Sequence, residues 1–376
     1  MKIWVIGRGY PTTSNKMWGS FELEQAKLLA RNGHDVTYIA LTLSFFSRKD
    51  PRGMRCFEDS GVKVFAYSHL YFPGKFGIYL EKFEDGCWCK LFAAAQKNGG
   101  LPDIIHIHYP TMISSINEIE KLRKKGIKIF VTEHWSRVLV NNLRKVERAR
   151  LEYYVSNANC FACVSNTLQK SVQKLANVTV PMAVIPNTVS PLFFDAKSAK
   201  IDKDIFTFVA VGRLVRLKQF DVIIEQFKSI FGGNEKVRLK IIGAGSDRKK
   251  LEKQVEKNDN IVLTGSLTQA EVANELVNAD ALISYSKYET FAVPVAEALA
   301  CGKPVIVSSS SGIASYINDN LGIVVSKDYQ EQLKVALIKI QDQYNKYIPI
   351  EIANFAKHNF SDKAVIVMLN SMYYEY

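Results

Sequence analysis

Four charged residues in the second half of the 376-residue chain are spaced to suit an anionic, hydroxyl-rich ligand. Arg213 and Lys218 follow the apolar run FTFVAVG, five positions apart in what reads as one loop. A planar guanidinium fork and a point-charge ammonium converging there can neutralise a diphosphate without a metal. Glu289 and Glu297 flank Pro294, which suits the first position of a helix. That places Glu289 in the loop after ALISYS and Glu297 on the helix's first turn. Two carboxylates around a helix start can hold sugar and ribose hydroxyls while the N–H groups of Phe291 and Ala292 face phosphate. Singly, each of these residues reads equally well as a solvated loop charge; their occurrence together is the signal.

Ligands of parallel α/β sheets bind beyond the carboxyl ends of the strands. The positions there are Gly7 to Gly19, His106, His108, Glu133, His134, Gly212 to Lys218, Gly243 to Gly245, and Glu289 to Glu297. Gly212 and Gly245 are therefore expected beside the ligand. Gly7-Arg8-Gly9 does not complete a dinucleotide fingerprint, because Thr12 stands where the third glycine belongs and no acid ends VTYIALTL. What is left is a long loop to Gly19 that opens onto a helix start at Ser20. His106 and His108 alternate along one strand and read as structural, whereas His134, at a strand end, reads as functional. Asp202-Lys203-Asp204 has the D-x-D spacing of a metal site but precedes a strand, so it reads as solvated loop, and no essential metal is expected. Neither Cys87/Cys89 nor Cys160/Cys163 has a second pair at zinc-ribbon spacing; the latter lies in an apolar run and reads as buried and inert.

Elements that would place these residues follow from periodicity. Short apolar runs alternate with amphipathic segments, the βαβ pattern of a mostly parallel sheet. KIWVIG leads into the helical stretch GSFELEQAKLLARNG, and then come the strands HDVTYIAL, VKVFAY, DIIHIH, IKIFVTEH and FACVS. The second half repeats the scheme with IFTFVAVG, RLKIIG, NIVLTG, ALISYS and PVIVSS. The expected organisation is an α/β chain of two Rossmann-like domains: a first domain at residues 1–190, a linker at 191–204, a second domain at 205–355, and a C-terminal helix at 356–376 crossing back to the first domain.

Composition narrows the class. Hydrophobic content of 47% and charged content of 23% are those of a globular protein, and no apolar run is long enough for a membrane span. The opening MKIWVIGRGYP is too short an apolar run for a secretion signal, and six cysteines without one point to free thiols in a reducing, cytoplasmic compartment. Net charge is +12, and almost all of it is in residues 1–190, where 26 Lys and Arg oppose 15 Asp and Glu; in residues 191–376 the numbers are 23 and 22. A one-sided basic field attracts an anionic partner. Lys121, Arg123, Lys124 and Lys125 cluster near one helix end, and Arg137, Arg144, Lys145 and Arg148 recur at the spacing of a second helix. KFGIYLEKFEDGCWCKLF interleaves Phe76, Tyr79, Leu80 and Phe83 with Lys75 and Lys82, as a surface-lying or an ordinary core-facing helix would.

Together these residues resemble the retaining glycosyltransferases of the family 4 kind, whose GT-B architecture has two Rossmann-like domains with parallel sheets facing across a cleft. The likeness runs nearly end to end and is most specific from Glu289 to Val305: a glutamate, a Phe-Gly pair, a proline, a second glutamate, then Ala-x-Ala-x-Gly-x-Pro-Val. Gly212-Arg213 with Lys218, NGHDV at Asn32 to Val36, VIPN at Val184 to Asn187, and His134 support it. The resemblance implies that Arg213 and Lys218 clamp the donor diphosphate, Glu297 binds the ribose, Glu289 contacts the sugar hydroxyls, and His134 lies by sugar and acceptor. It also implies that Gly19 lets a loop approach the diphosphate. Ala292 stands where glycine is usual, Thr188 and Ser190 replace Gly and Asp, and Trp18 replaces the first glycine of a pair.

The expectation is a retaining, metal-independent hexosyltransferase in cell-surface polysaccharide synthesis. It needs no cofactor and takes a UDP- or GDP-linked sugar as donor substrate and a glycan or lipid-linked acceptor, with peripheral contact to anionic membrane and none to nucleic acid. Its rivals are an epimerase or hydrolase on the same architecture and a basic membrane- or nucleic-acid-binding module without turnover.

Overall fold

A computed structural model describes residues 1–12, 18–44, 52–70, 77–113, 115–177, 182–196, 204–256 and 258–376, the side chains at 44, 70 and 77–81 excepted. The chain divides into two α/β units. One comprises Met1–Val164, Leu168–Ile185 and Ile366–Tyr376; the other comprises Ser165–Thr167 and Pro186–Val365. Of the stretch 191–204, residues 197–203, Asp202 of the D-x-D triplet included, lie outside the described residues.

The first unit has the strands β1 (Lys2–Gly7), β2 (Asp35–Ser44), β3 (Gly53–Asp59), β4 (Val62–Leu70), β5 (Ile104–His108), β6 (Lys128–Glu133), β7 (Cys160–Cys163) and β8 (Met182–Val184). They form one sheet in the order β3-β4-β2-β1-β5-β6-β7-β8. Every pairing is parallel except β3 with β4. Parallel strands covered on both faces need continuous apolar runs, which is why KIWVIG and DIIHIH were visible in the sequence. The edge strand β3 was not: its residues alternate between half-buried and exposed, so it has no apolar run. Connections are made by α1 (Ser20–Arg31), α2 (Gly77–Gly99), α3 (Ile116–Arg123), α4 (Ser136–Leu139), α5 (Lys145–Asn157) and α6 (Asn166–Ala176).

The second unit has β9 (Phe206–Val211), β10 (Val237–Ile242), β11 (Ile261–Gly265), β12 (Ala281–Ser284), β13 (Val305–Ser308) and β14 (Gly322–Val325), ordered β11-β10-β9-β12-β13-β14 and all parallel. Its helices are α7 (Pro191–Asp195), α8 (Phe220–Phe231), α9 (Arg248–Val255), α10 (Gln269–Asn278), α11 (Val293–Ala300), α12 (Gln330–Asp342) and α13 (Pro349–Phe360). Ser190 starts α7, its Oγ accepting the Leu192 N–H, the bond an aspartate would accept at a helix start. α14 (Asp362–Glu375) begins in the second unit and ends in the first, where Leu369, Met372 and Tyr373 are buried.

From the central strand outward, the second sheet has the doubly wound order 3-2-1-4-5-6, and the first has it in β4-β2-β1-β5-β6-β7, with β3 added at one edge and β8 at the other. The order reverses between β1 and β5 in the first unit and between β9 and β12 in the second, so ligand-facing loops are those that leave these strands.

Two expectations about the basic segments change. Arg137 and Arg144 to Arg148 do not share one helix: Arg137 is on the one-turn α4, Arg144 precedes α5, and an irregular stretch separates them. On α2, Cys87, Trp88, Leu91, Phe92 and Ala95 are buried, and Phe92 stacks on Trp4. Its described part is therefore core-facing, although Phe83 keeps 40% of its surface exposed. Lys75 and Phe76 lie outside the described residues, as do the side chains of Tyr79 and Leu80. Among the described residues no helix is long and apolar enough to cross a membrane.

Candidate active site

In the second unit the loop leaving β9 is anchored through its one buried apolar residue, Leu214. The Leu214 N–H donates to Ala244 O at 2.9 Å, and the Asp247 N–H donates to Leu214 O at 2.9 Å. This lays the loop after β9 against the loop after β10, and the contact leaves no room for a side chain at Gly245, whose Cβ would stand 2.2 Å from Leu214 O. Gly245 thus packs two loops together, a role its place after a strand did not reveal. Beyond Leu214 the chain makes a single 3-10 turn, Arg216–Lys218, which turns Lys218 back over Gly212, while Arg213 stays exposed.

Lys218 Nζ forms an ion pair with Glu289 Oε1, 71 residues further along the chain. The loop after β12 is held for this: the Lys287 N–H donates to Leu217 O at 2.9 Å, the Glu289 N–H to Ser310 O at 3.2 Å, and the Gly312 N–H to Glu289 O at 2.9 Å. Ser286 Oγ donates to the second carboxylate oxygen of Glu289 at 3.1 Å. The structure therefore brings together two of the residues the sequence singled out, and adds Ser286, which nothing in the sequence marked.

α11 begins immediately after, and its start is unusual. Ala292 precedes it with φ 80°, ψ 68°, the left-handed region in which an L side chain costs about 1–2 kcal/mol. That is the position where the resembling family carries glycine, so the backbone form is kept while the residue that tolerates it best is not. Phe291 is buried against Phe360, and its carbonyl accepts the Ile313 N–H at 3.0 Å. Among the described residues, the N–H groups of Phe291, Ala292 and Val293 make no main-chain hydrogen bond, and Pro294 has none to offer. Three donors are thereby left at the positive end of the helix. Pro294 is the second helical residue, not the first. Glu297 is the fifth, one turn in from the helix start rather than on its first turn. Burial raises its carboxyl to about 7.

In the first unit, residues on β5 and just after β1, β5 and β6 form a column of rings. His106 stacks on His108 at 4.4 Å between ring centres, His108 lies 5.1 Å from His134, and His134 stacks on Tyr109 at 4.8 Å. The Arg8 guanidinium covers Tyr109 at 3.6 Å and Trp18 at 4.9 Å, and its Nε donates to the buried Glu22 at 2.8 Å. Burial works against the Arg8 cation, but Glu22 and then Tyr109 more than compensate for it. His106 is structural, as its strand position implied: Tyr373 Oη at 2.6 Å and Thr132 Oγ1 at 2.7 Å engage its two nitrogens.

His134 is half-exposed, and its Nε2 lies 2.9 Å from His108 Nδ1. Behind it Glu133 Oε1 accepts the N–H groups of both His134 and Trp135 at 2.8 Å, and Thr111 Oγ1 donates to the other oxygen at 3.3 Å. Burial pushes the Glu133 carboxyl up to about 7 despite these donors. Gly19 precedes α1 with φ 77°, and a Cβ there would stand 1.9 Å from Gly9 O. Its glycine is needed for the loop's own closure; Tyr38 Oη donates to both carbonyls, Gly9 O at 2.7 Å and Gly19 O at 3.2 Å. Nothing local in the sequence marks Arg8, Glu22 and Tyr109 as a group, because a buried ion pair and the ring beneath it have no pattern along the chain. Glu133, an acid at a strand end beside His134, did have a local signal.

Two family models match consecutive stretches of the chain: "Glycosyltransferase Family 4" at residues 22–191 and "Glycosyl transferases group 1" at residues 193–350. One subunit of the phosphatidylinositol N-acetylglucosaminyltransferase of Arabidopsis thaliana is 23% identical over 239 residues, covering 61% of this chain and 53% of the relative, so the chain spans about half that protein's length. Among solved structures, sucrose-phosphate synthase from Thermosynechococcus elongatus superposes with a TM-score of 0.78 at 18% identity, covering 100% of this chain and 98% of its own. HepE from Anabaena, solved with UDP and glucose, gives 0.71 at 13% identity and covers both chains fully. These structural likenesses concern the fold.

Proposed function

The chain belongs to the glycosyltransferases built from these two α/β domains, the GT-B architecture, and from that premise we propose that it is a retaining enzyme taking its sugar from a UDP- or GDP-linked donor. The observation that carries the reading is the Lys218–Glu289 pair beside the exposed Arg213, in the loops leaving the strands where the second sheet reverses its order. Breaking a glycosidic bond to a diphosphate loads negative charge on the leaving group and positive charge on the sugar. Arg213, Lys218 and the donors at the start of α11 stabilise the first as it develops, and the Glu289 carboxylate faces the second. With two cations at the diphosphate, the reaction runs without an essential divalent ion. Glu297 takes the ribose, and Phe291 and Ala292 present their amides to phosphate. The attacking hydroxyl enters on the face the leaving group departs from, and the departing phosphate accepts its proton.

His134, in the first unit, serves sugar and acceptor. The acceptor is a glycan or a lipid-linked molecule of cell-surface polysaccharide synthesis, met at the cytoplasmic membrane face. The Arabidopsis relative is named for a phosphatidylinositol acceptor, which accords with that choice. Local ion pairs reduce the basic field available for membrane contact: Lys121 pairs with Glu118, Arg123 with Glu120, and both Arg137 and Arg144 with Glu147. Lys124, Lys125 and Lys145 are exposed and form no ion pair among the described residues.

The test is a thermal-shift screen of UDP- and GDP-sugars, followed by transfer assays with and without EDTA and determination of the product anomer. A donor held at a hundred times its Kd adds about 2.7 kcal/mol of apparent stability, which is readily seen. No shift with any donor would remove the donor site. Turnover lost to EDTA and restored by magnesium or manganese would remove the metal-free mechanism, and an inverted anomer would remove retention.

A further inference from the structure

His108 is fully buried at the end of β5, and three observations fix what it can do. Its ring is clamped between His106 and His134. Its Nδ1 lies 2.9 Å from His134 Nε2, so one proton occupies that contact. Its Nε2 is buried without a hydrogen-bond partner among the described residues. Burial, then the neighbouring His134, then the Arg8 cation hold the ring well below the usual imidazole range, so it is neutral and carries a single proton.

That proton has two places to go. On Nε2 it would leave a buried N–H with nothing to donate to, an arrangement folded proteins rarely keep. On Nδ1 it donates to His134, and the unpartnered atom becomes a bare lone pair. The second choice then sets its neighbour: a His134 that accepts at Nε2 carries its own proton on Nδ1, because the hydrogen bond at one ring nitrogen decides the state of the other. Stacking on Tyr109 and the two N–H bonds to Glu133 hold the ring and its backbone in the matching orientation.

We propose that His108 is a positioning residue that locks His134 in the neutral tautomer protonated on Nδ1. In consequence any hydrogen bond His134 makes through Nδ1 is a donated one, and His134 is withheld from acting as a base through Nε2. That it meets sugar or acceptor rests on the glycosyltransferase reading; the tautomer does not, and can be read without any substrate.

The experiment is long-range proton–nitrogen NMR on the full-length protein labelled with ¹⁵N-histidine at neutral pH, with the His134 signals identified by their loss in His134→Gln. The expected result is a protonated Nδ1 and a bare Nε2 on His134. In His108→Leu the preference should disappear, whereas His108→Asn, whose amide can donate from nearly the same place, should keep it. In a transfer assay His108→Leu should lower kcat by about tenfold, the worth of one hydrogen bond, with KM for the donor unchanged and with recovery in His108→Asn. A wild-type His134 protonated on Nε2 overturns the proposal whether or not the variants fold, as does an unchanged tautomer in a folded His108→Leu protein. If the tautomer is as expected but the chain transfers no sugar, the functional reading fails and the positioning role stands.

Discussion

Lys218 and Glu289 show how one contact limits two residues. An ammonium already paired with a carboxylate is held in place, and in the proposed mechanism an arriving diphosphate would share it with Glu289. Arg213 is exposed and its side chain has no ion-pair partner among the described residues, so in the proposed clamp it is the half not already held by a carboxylate. Arg213→Ala and Lys218→Ala should each lower kcat by about 10²- to 10³-fold, as for other groups that stabilise charge formed in the transition state. A steady-state assay giving unchanged kinetics for Lys218→Ala would end its diphosphate role. Glu297 leads to a prediction of a different kind. Its carboxyl stands at about 7 in the folded chain against an ordinary 4.5, because burial penalises the charged form. Stability from this group is fully present below 4.5 and lost as pH rises through about 7, and Glu133 acts with the same sign. Glu297→Gln should therefore become more stable relative to wild type between pH 5 and 8, read from urea midpoints. Parallel curves would mean that the carboxyl titrates as an exposed one does.

At the level of elements, two helix starts use the same left-handed backbone with different residues. Before α1 it is Gly19, with Gly9 O where a Cβ would be; before α11 it is Ala292, at φ 80°. Substitution should act in opposite directions at the two positions. Gly19→Ala adds both the strain of φ 77° and a 1.9 Å clash, and should cost at least about 2 kcal/mol. Ala292→Gly relieves strain but loosens the unfolded chain, for a net gain of up to about 1 kcal/mol. Thermal unfolding of the two variants checks the pair; a clear loss of stability in Ala292→Gly would show that its methyl group, buried in this chain, matters more than the backbone it strains. The edge strand β3 and α14 both lie outside the doubly wound core, yet α14 supplies Tyr373, whose hydroxyl engages His106 at the base of the ring column.

For the molecule as a whole, charge is the property with a consequence. Residues 1–190 carry a net +11, from 26 Lys and Arg against 15 Asp and Glu, while the remainder is nearly neutral. Each basic residue near an anionic surface contributes about 1 kcal/mol, so Lys124, Lys125 and Lys145, which form no ion pair among the described residues, would give the proposed attachment a reversible character that falls with salt. Sedimentation with vesicles should recover the protein with anionic lipid at low salt and release it at high salt. Equal recovery on neutral and anionic vesicles, or none on either, would assign the basic field to a soluble anionic acceptor.

Local pattern was enough for the doubly wound architecture and for naming candidate residues at the strand ends. Parallel strands buried on both faces must be written as apolar runs, and the residues that follow them sit at the ligand-facing ends, so Arg213, Lys218, Glu289 and His134 could be proposed by position. The edge strand β3 and the role of Gly245 could not, since an alternating edge strand and a glycine packed on another loop's backbone look like any other polar run or turn. What only the tertiary structure decided is which of these groups meet. Lys218 reaches Glu289 across 71 residues, and His106 reaches Tyr373 across 267. Arg8 meets Glu22 because α1 returns past the end of β1, and His108 meets His134 through the register of β5 against β6. The pattern that makes a strand is written in neighbouring residues, whereas a polar contact between strand ends is set by how far the chain travels before the sheet brings it back.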